Sequence, residues 1–304
     1  MMVFDASRVD ASISDDFPAF HSHIDVLFFI SLLAVGYVVL LRTVGPRRVQ
    51  AGAPTVTPLQ LACFSGGVLA TFVVSTWPIH DIAEGSLFSV HMVQHLTYTL
   101  VAAPLVLLGT PGWMMRAIIG EGVVFRIVRF CARMVPGVII FNLVVVVSHW
   151  PAVVNEAIAS HPFHLLVHVV VFGSGLLAWL PIVSPMPEIP RFAPIGRMVF
   201  LFLQSIVPTV PASFLTFGTT PLYRSYEDLP HLFGLSVLND QLIAGLIMKI
   251  GAGLLLWMVI ALTWFKWAAR EERIDQLRLD GRAWQNGGQG LVDRDMRRVG
   301  MRSR

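Results

Sequence analysis

This chain has little charge and almost no cysteine. Only 13% of its 304 residues are Asp, Glu, Lys or Arg, about half of what a soluble domain carries, and that scarcity excludes a water-facing globular fold. Cys63 and Cys131 are the two cysteines. They are too few for a disulfide framework, and the charge pattern below puts both toward the cytoplasm. A metal site facing the other way must then be built from His, Met and carboxylates rather than thiolates. The HExxH signature of zinc proteases is missing. The N-terminal stretch also lacks the basic start and small-residue cleavage site of a secretory signal, so the first apolar run reads as an uncleaved anchor. No internal repeat stands out, and the odd number of expected spans, seven, argues against a simple pair of transporter halves.

What is present is apolar surface: 55% of the residues are hydrophobic. Seven apolar runs, at 24–41, 58–77, 87–108, 135–149, 163–182, 198–216 and 237–266, each approach the ~20 residues needed to cross hydrocarbon. The expected fold is all-α, a seven-helix membrane domain over 24–266. Arginines set its orientation. Arg42, Arg47 and Arg48 follow the first run, Arg116, Arg126, Arg129 and Arg133 the third, and Arg191 and Arg197 the fifth. These loops are expected in the cytoplasm. The opposite loops hold Asp81, Glu84, Glu156, Glu227 and Asp228 with Arg224 alone, and the 1–23 segment is acidic through Asp5, Asp10, Asp15 and Asp16. The N-terminus is therefore expected outside and the basic tail, 267–304, inside. Attraction to anionic lipid headgroups accounts for the net positive charge, so no nucleic-acid partner is expected.

Smaller features refine this picture. Arg126, Arg129 and Arg133 share a helix face beside Trp113, Ile118, Val124 and Phe125, which predicts one interfacial amphipathic helix over about 112–134. The tail is predicted to be helical until the glycines at 287–290 break it, with a disordered basic end. Pro208 and Pro211 are expected to kink the sixth span.

Threading the spans alternately puts all ten histidines in the outer half. His91 and His95 (HMVQH) lie four apart in the third span, and His164 and His168 (HPFHLLVH) repeat the spacing in the fifth. At 1.5 Å per residue the rings of each pair share one face about 6 Å apart, with His91 and His168 both roughly 8–10 Å deep and His95 about 14 Å deep. A buried histidine also has a plain reading as an interhelical hydrogen-bonding residue. Two pairs at one level favour a ligand site, because imidazole is the commonest metal ligand. His149 and His80 fall at span ends beside Trp-Pro and Trp-Pro-Ile sequences. They read as shallow residues, candidates for an access route. Asp240 and Gln241 open the seventh span as supporting residues. Met248, two turns deeper, could reach the level of His95 and supply a soft thioether suited to Cu(I). Lys249 needs a partner or a wet cavity at that depth. His21 and His23 read as solvated residues of the acidic tail.

In order along the chain, HMVQHLTYTLVAAPLVLLGTP, HWP, HPFHLLVHVVVFGSGLLAWLPIV, FLTFGTTPLY and DQLIAGLIM resemble the CtaG family of seven-helix cytochrome c oxidase assembly factors. The resemblance implies a multi-pass protein of the bacterial inner membrane that is not an enzyme. It would mature a haem-copper oxidase by copper delivery, with oxidase subunits and the lipid bilayer as partners. Carried over residue by residue, the family's polar pattern falls on His91, His95, His149, His164, His168, Asp240, Gln241 and Met248. At Val167, relatives carry Glu, which puts a carboxylate partner there in doubt. The expected metal set is His91, His95, His168, His164, His149 and Met248 for copper, with His80, Asp240 and Gln241 in support. A b-type haem protein with facing axial histidines and an intramembrane zinc hydrolase using Asp240 or Asp81 as base are the alternatives.

Overall fold

The computed structural model describes Pro18 and residues 20–298, with side chains as far as Leu279. Asp5, Asp10, Asp15 and Asp16 lie outside the described residues, as do 299–304. Every regular element among the described residues is helical. Six helices are long and apolar enough to cross a membrane: α1 (Ile24–Thr43), α2 (Pro58–Ser75), α3 (Phe88–Gly109), α5 (His161–Val183), α6 (Pro194–Phe217) and α7 (Val237–Leu279 of a helix that continues). Between them α4 (Met134–Ser148) has 15 residues. It counts as a seventh crossing only when joined to Val123–Cys131, from which it bends by 86°. Among the described residues the chain thus has six or seven candidate membrane spans.

Local chemistry explains where these helices start and stop. α2 opens on a capping box: Thr57 accepts from the Gln60 N–H, Gln60 reaches back to the Thr57 N–H, and Pro58 stands at the first helical position, where its missing donor costs nothing. α6 breaks between Ile206 and Thr209 at Pro208, in line with the expected kink. The single interfacial helix expected over 112–134 is instead two, Gly112–Ile119 and Val123–Cys131. Gly120 separates them with φ +68°, outside the range in which a helix can continue. The tail also departs from expectation, since its helix runs on as Ala252–Arg298 through the glycines. Glycine weakens a helix by about 1 kcal/mol per residue but keeps its N–H, so it need not end one.

α3 is the central element. Of its apolar window 61% is buried, against 17% for α1, which faces lipid. α2 and α5 pack mainly along its second half, and the start of α7 along its first turns. Small residues allow these approaches. A Cβ on Gly109 would come within 2.3 Å of the Phe64 backbone nitrogen, and one on Gly175 of α5 within 3.0 Å of Thr99 Cα. The second contact sets the α3–α5 spacing one turn beyond His95 and two turns beyond His168. Both α3 and α7 widen to π-helix at this level, at Thr97–Ala102 and Ile247–Gly251, a distortion common near functional sites. Trp179 of α5 donates to the Thr99 carbonyl in the first of these turns, at 2.7 Å.

Candidate metal centre

The first turns of α3 present His91 and His95 on one face, their ring centroids 4.3 Å apart. α5 presents His164 and His168 in the same way, with the two Nε2 atoms 3.0 Å apart. Because α3 and α5 cross at the small contact described above, the pairs meet. His91 lies 5.5 Å and His95 5.2 Å from the His168 ring, and His91 lies 5.3 Å from His164. One ligand nitrogen from each of His91, His95 and His168 falls within 4.8 Å of the others. All three residues are buried. His91 Nδ1 and both nitrogens of His95 have no hydrogen-bond partner. Leaving such atoms unpaired costs about 1–3 kcal/mol each, and a bound cation would remove that cost. The donor set therefore suits a transition-metal ion.

Above the trio sits a carboxylate the motif strings did not single out. Glu84 Oε1 is 3.0 Å from both His80 Nε2 and His164 Nδ1. Gln94, between the two histidines of HMVQH, donates from Nε2 to His80 Nδ1 at 3.0 Å. That contact assigns the His80 proton to Nε2, facing Glu84. Burial alone pushes the Glu84 carboxyl up, but hydrogen bonding and charge from His164 and His80 outweigh it and hold the group far below the ordinary carboxylate range. A group depressed on folding contributes stability above its unfolded value, ordinarily 4.5, and that contribution fades as pH falls below it. The melting temperature of wild type minus that of Glu84→Gln should accordingly hold steady above about pH 5 and shrink in more acid buffer. A difference independent of pH would mean that the Glu84 carboxyl titrates alike in the folded and unfolded chain, and one that grew in acid would mean that it is protonated in the fold. The i,i+4 spacing of His80 and Glu84 on the short helix Ile79–Gly85 was the available sequence signal.

The network extends outward. His23 Nε2 and His21 Nδ1 lie 3.1 and 3.2 Å from the two oxygens of Asp81, and the His23 ring stands edge-on to His80 at 4.3 Å. His161 Nε2 is 3.1 Å from Asp25, beside His23. The expectation of a solvated His23 is overturned: its side chain is 12% exposed, because the segment before α1 folds over the Ile79–Gly85 helix. His80, expected to be shallow, is also buried.

On the other side of the trio, His149 lies 5.7 Å from His95 and is buried within the fold. The loop after α6 seals it, since Tyr223 donates to the His149 carbonyl at 2.9 Å and Tyr226 to the Ala83 carbonyl at 3.1 Å. His149 Nε2 lies 3.3 Å from Met92 Sδ. Met248 joins Met92, His95 and His149 in lining a cavity of about 60 Å³. Lys249, one residue on, stands 5.6 Å from the Phe217 ring, a cation–π distance. Asp240 and Gln241 are engaged elsewhere. Asp240 accepts the N–H groups of Phe88 and Ser89 at 2.6 and 3.1 Å, capping α3. Gln241 accepts from Leu222 N–H and donates to the Tyr223 carbonyl, holding the sealing loop.

The His91 and His168 rings stand 5.5 Å apart, with the His95 and His164 rings within 5.3 Å of each. Asp81 is held by His21 and His23, and Asp240 by the N–H groups of Phe88 and Ser89. A family model described as cytochrome c oxidase caa3 assembly factor (Caa3_CtaG) matches residues 35–270, which takes in the cluster from His80 to Met248 but not His21 and His23. No curated protein and no solved structure matches the chain. From the middle of α1 to the start of the tail the sequence fits that one description, and the chain belongs to the cytochrome c oxidase caa3 assembly factor family.

Proposed function

We propose that this protein binds a copper ion at His91, His95 and His168 and supports its delivery to a haem-copper oxidase. One observation carries the reading: three buried imidazoles converge from two helices, and three of their nitrogens have no other partner. The family's role in cytochrome c oxidase assembly supplies the context. Copper here is cargo, so the site must both bind and release. His80 and His164 around Glu84, with His23 above, form the access layer, and His168 belongs to the trio while touching His164. An ion can thus pass inward by exchanging one imidazole at a time. Neutral imidazole is the ligand, so protons compete with metal in acid. No substrate reaction is catalysed.

In this reading the protein lies in the bacterial inner membrane with seven spans, the histidine end outside and the arginine loops and tail in the cytoplasm. Deleting it should lower oxidase activity and oxidase copper together while leaving the oxidase polypeptides in the membrane. Excess external copper should restore part of both. Fully metallated, active oxidase in the deletion strain under copper limitation would overturn the delivery role.

A further inference from the structure

His149 and Met92 meet in a way that ordinary hydrogen bonding does not explain. His149 Nδ1 lies 2.7 Å from the Val145 carbonyl, an atom that can only accept, so Nδ1 carries the ring proton. In the neutral ring Nε2 is then a bare lone pair. It faces Met92 Sδ, which has no proton either, at 3.3 Å. At that distance the two atoms are in van der Waals contact, and their lone pairs converge on a buried site that a soft cation would satisfy. With metal–nitrogen and metal–sulfur bonds of roughly 2.0–2.3 Å, donors 3.3 Å apart sit as neighbours around one ion. The cavity there, about 60 Å³, is several times the roughly 10–15 Å³ that one water needs. Met248, held in the π turn of α7, and His95, with both nitrogens unpartnered, line it as well.

We propose a second metal position, formed by His149 Nε2, Met92 Sδ, Met248 Sδ and His95, that takes a soft monovalent ion, Cu(I) in the cell. Thioether sulfur prefers Cu(I) to harder divalent ions, whereas the trio offers imidazole alone. His95 belongs to both positions, so an ion moves from one to the other by changing its remaining ligands without leaving the bundle. The proposal rests on the reading that the trio binds copper and adds where the ion goes next and in which oxidation state.

The test uses detergent-purified full-length protein loaded without oxygen with Cu(I), with Ag(I) as a redox-inert soft probe, and with Zn(II). X-ray absorption should show sulfur in the first shell of Cu(I) and Ag(I), and nitrogen alone around Zn(II). Met92→Leu, close in volume and so tolerated in packing, should lose about half of the sulfur scattering, Met248 supplying the rest, and weaken Ag(I) binding by at least roughly tenfold, the scale on which even outer-shell changes at metal sites act. Its Zn(II) affinity should not move. Met248→Leu gives a second variant, and the wild-type spectra can be read even if neither variant folds. A nitrogen-only shell around Cu(I) and Ag(I), or equal loss of Zn(II) and Ag(I) in Met92→Leu, would overturn the second position while leaving the trio intact. Failure of wild-type protein to bind copper at all would overturn both.

Discussion

His95→Leu should yield protein that folds and melts no lower than wild type without metal, yet retains almost no copper. Both His95 nitrogens are buried and unpartnered. Replacing the ring by a hydrocarbon of similar size therefore removes a desolvation cost of about 1–3 kcal/mol per atom and opens no large cavity. The metal-linked gain should disappear. An ion present at 100 times its Kd stabilises the folded state by about 2.7 kcal/mol, so copper should raise the melting temperature of wild type and leave His95→Leu unmoved. His91→Ala and His168→Ala should lose copper nearly as fully, because each supplies one of the three converging nitrogens. His23→Ala should slow loading and leave the final copper content unchanged, since His23 stands outside the trio against His80. Copper content by mass spectrometry on equal amounts of protein measures all of these. Normal copper in His95→Leu would remove the trio as the site.

Asp240→Ala should be the most destabilising substitution at the histidine end. The carboxylate accepts two backbone N–H groups at the start of α3, where no intrahelical acceptor exists and the helix dipole favours negative charge. Two bonds to a charged acceptor, at about 1.5–3 kcal/mol each, make the expected loss about 3–6 kcal/mol. It falls on the helix that carries His91 and His95. Asp240→Asn keeps one acceptor oxygen and should lose about half as much. Thermal unfolding in detergent, followed by tryptophan fluorescence, gives the comparison. If Asp240→Ala matched wild type in stability but failed in function, the carboxylate would be acting on the ion or on water and not as the tether of α7 to α3.

Apolar run length and i,i+4 spacing are local properties, and on those the sequence alone was sufficient. It located the long helices, the break at Pro208, and the facing pairs His91/His95 and His164/His168. The membrane character and the family follow from the same strings. What the sequence could not decide was everything that depends on one element folding over another. Counting residues from span ends made His80 and His149 shallow. They are buried because the N-terminal segment and the Tyr223–Tyr226 loop close over them, contacts made by residues 57 and 74 positions away. Asp240 and Gln241 looked like functional polar groups in an apolar run, and their partners are backbone atoms of α3 and of a loop that only the fold brings near. Glu84 was legible only as a loop charge, and Met92 not at all, for the same reason. Glu84 acquires its role from His164, and Met92 from His149, each brought into contact by helix packing. Periodicity tells a side chain which face of its own helix it occupies, while its partner across the interface is set by which helices cross and how closely, and here glycines such as Gly109 and Gly175 set that distance.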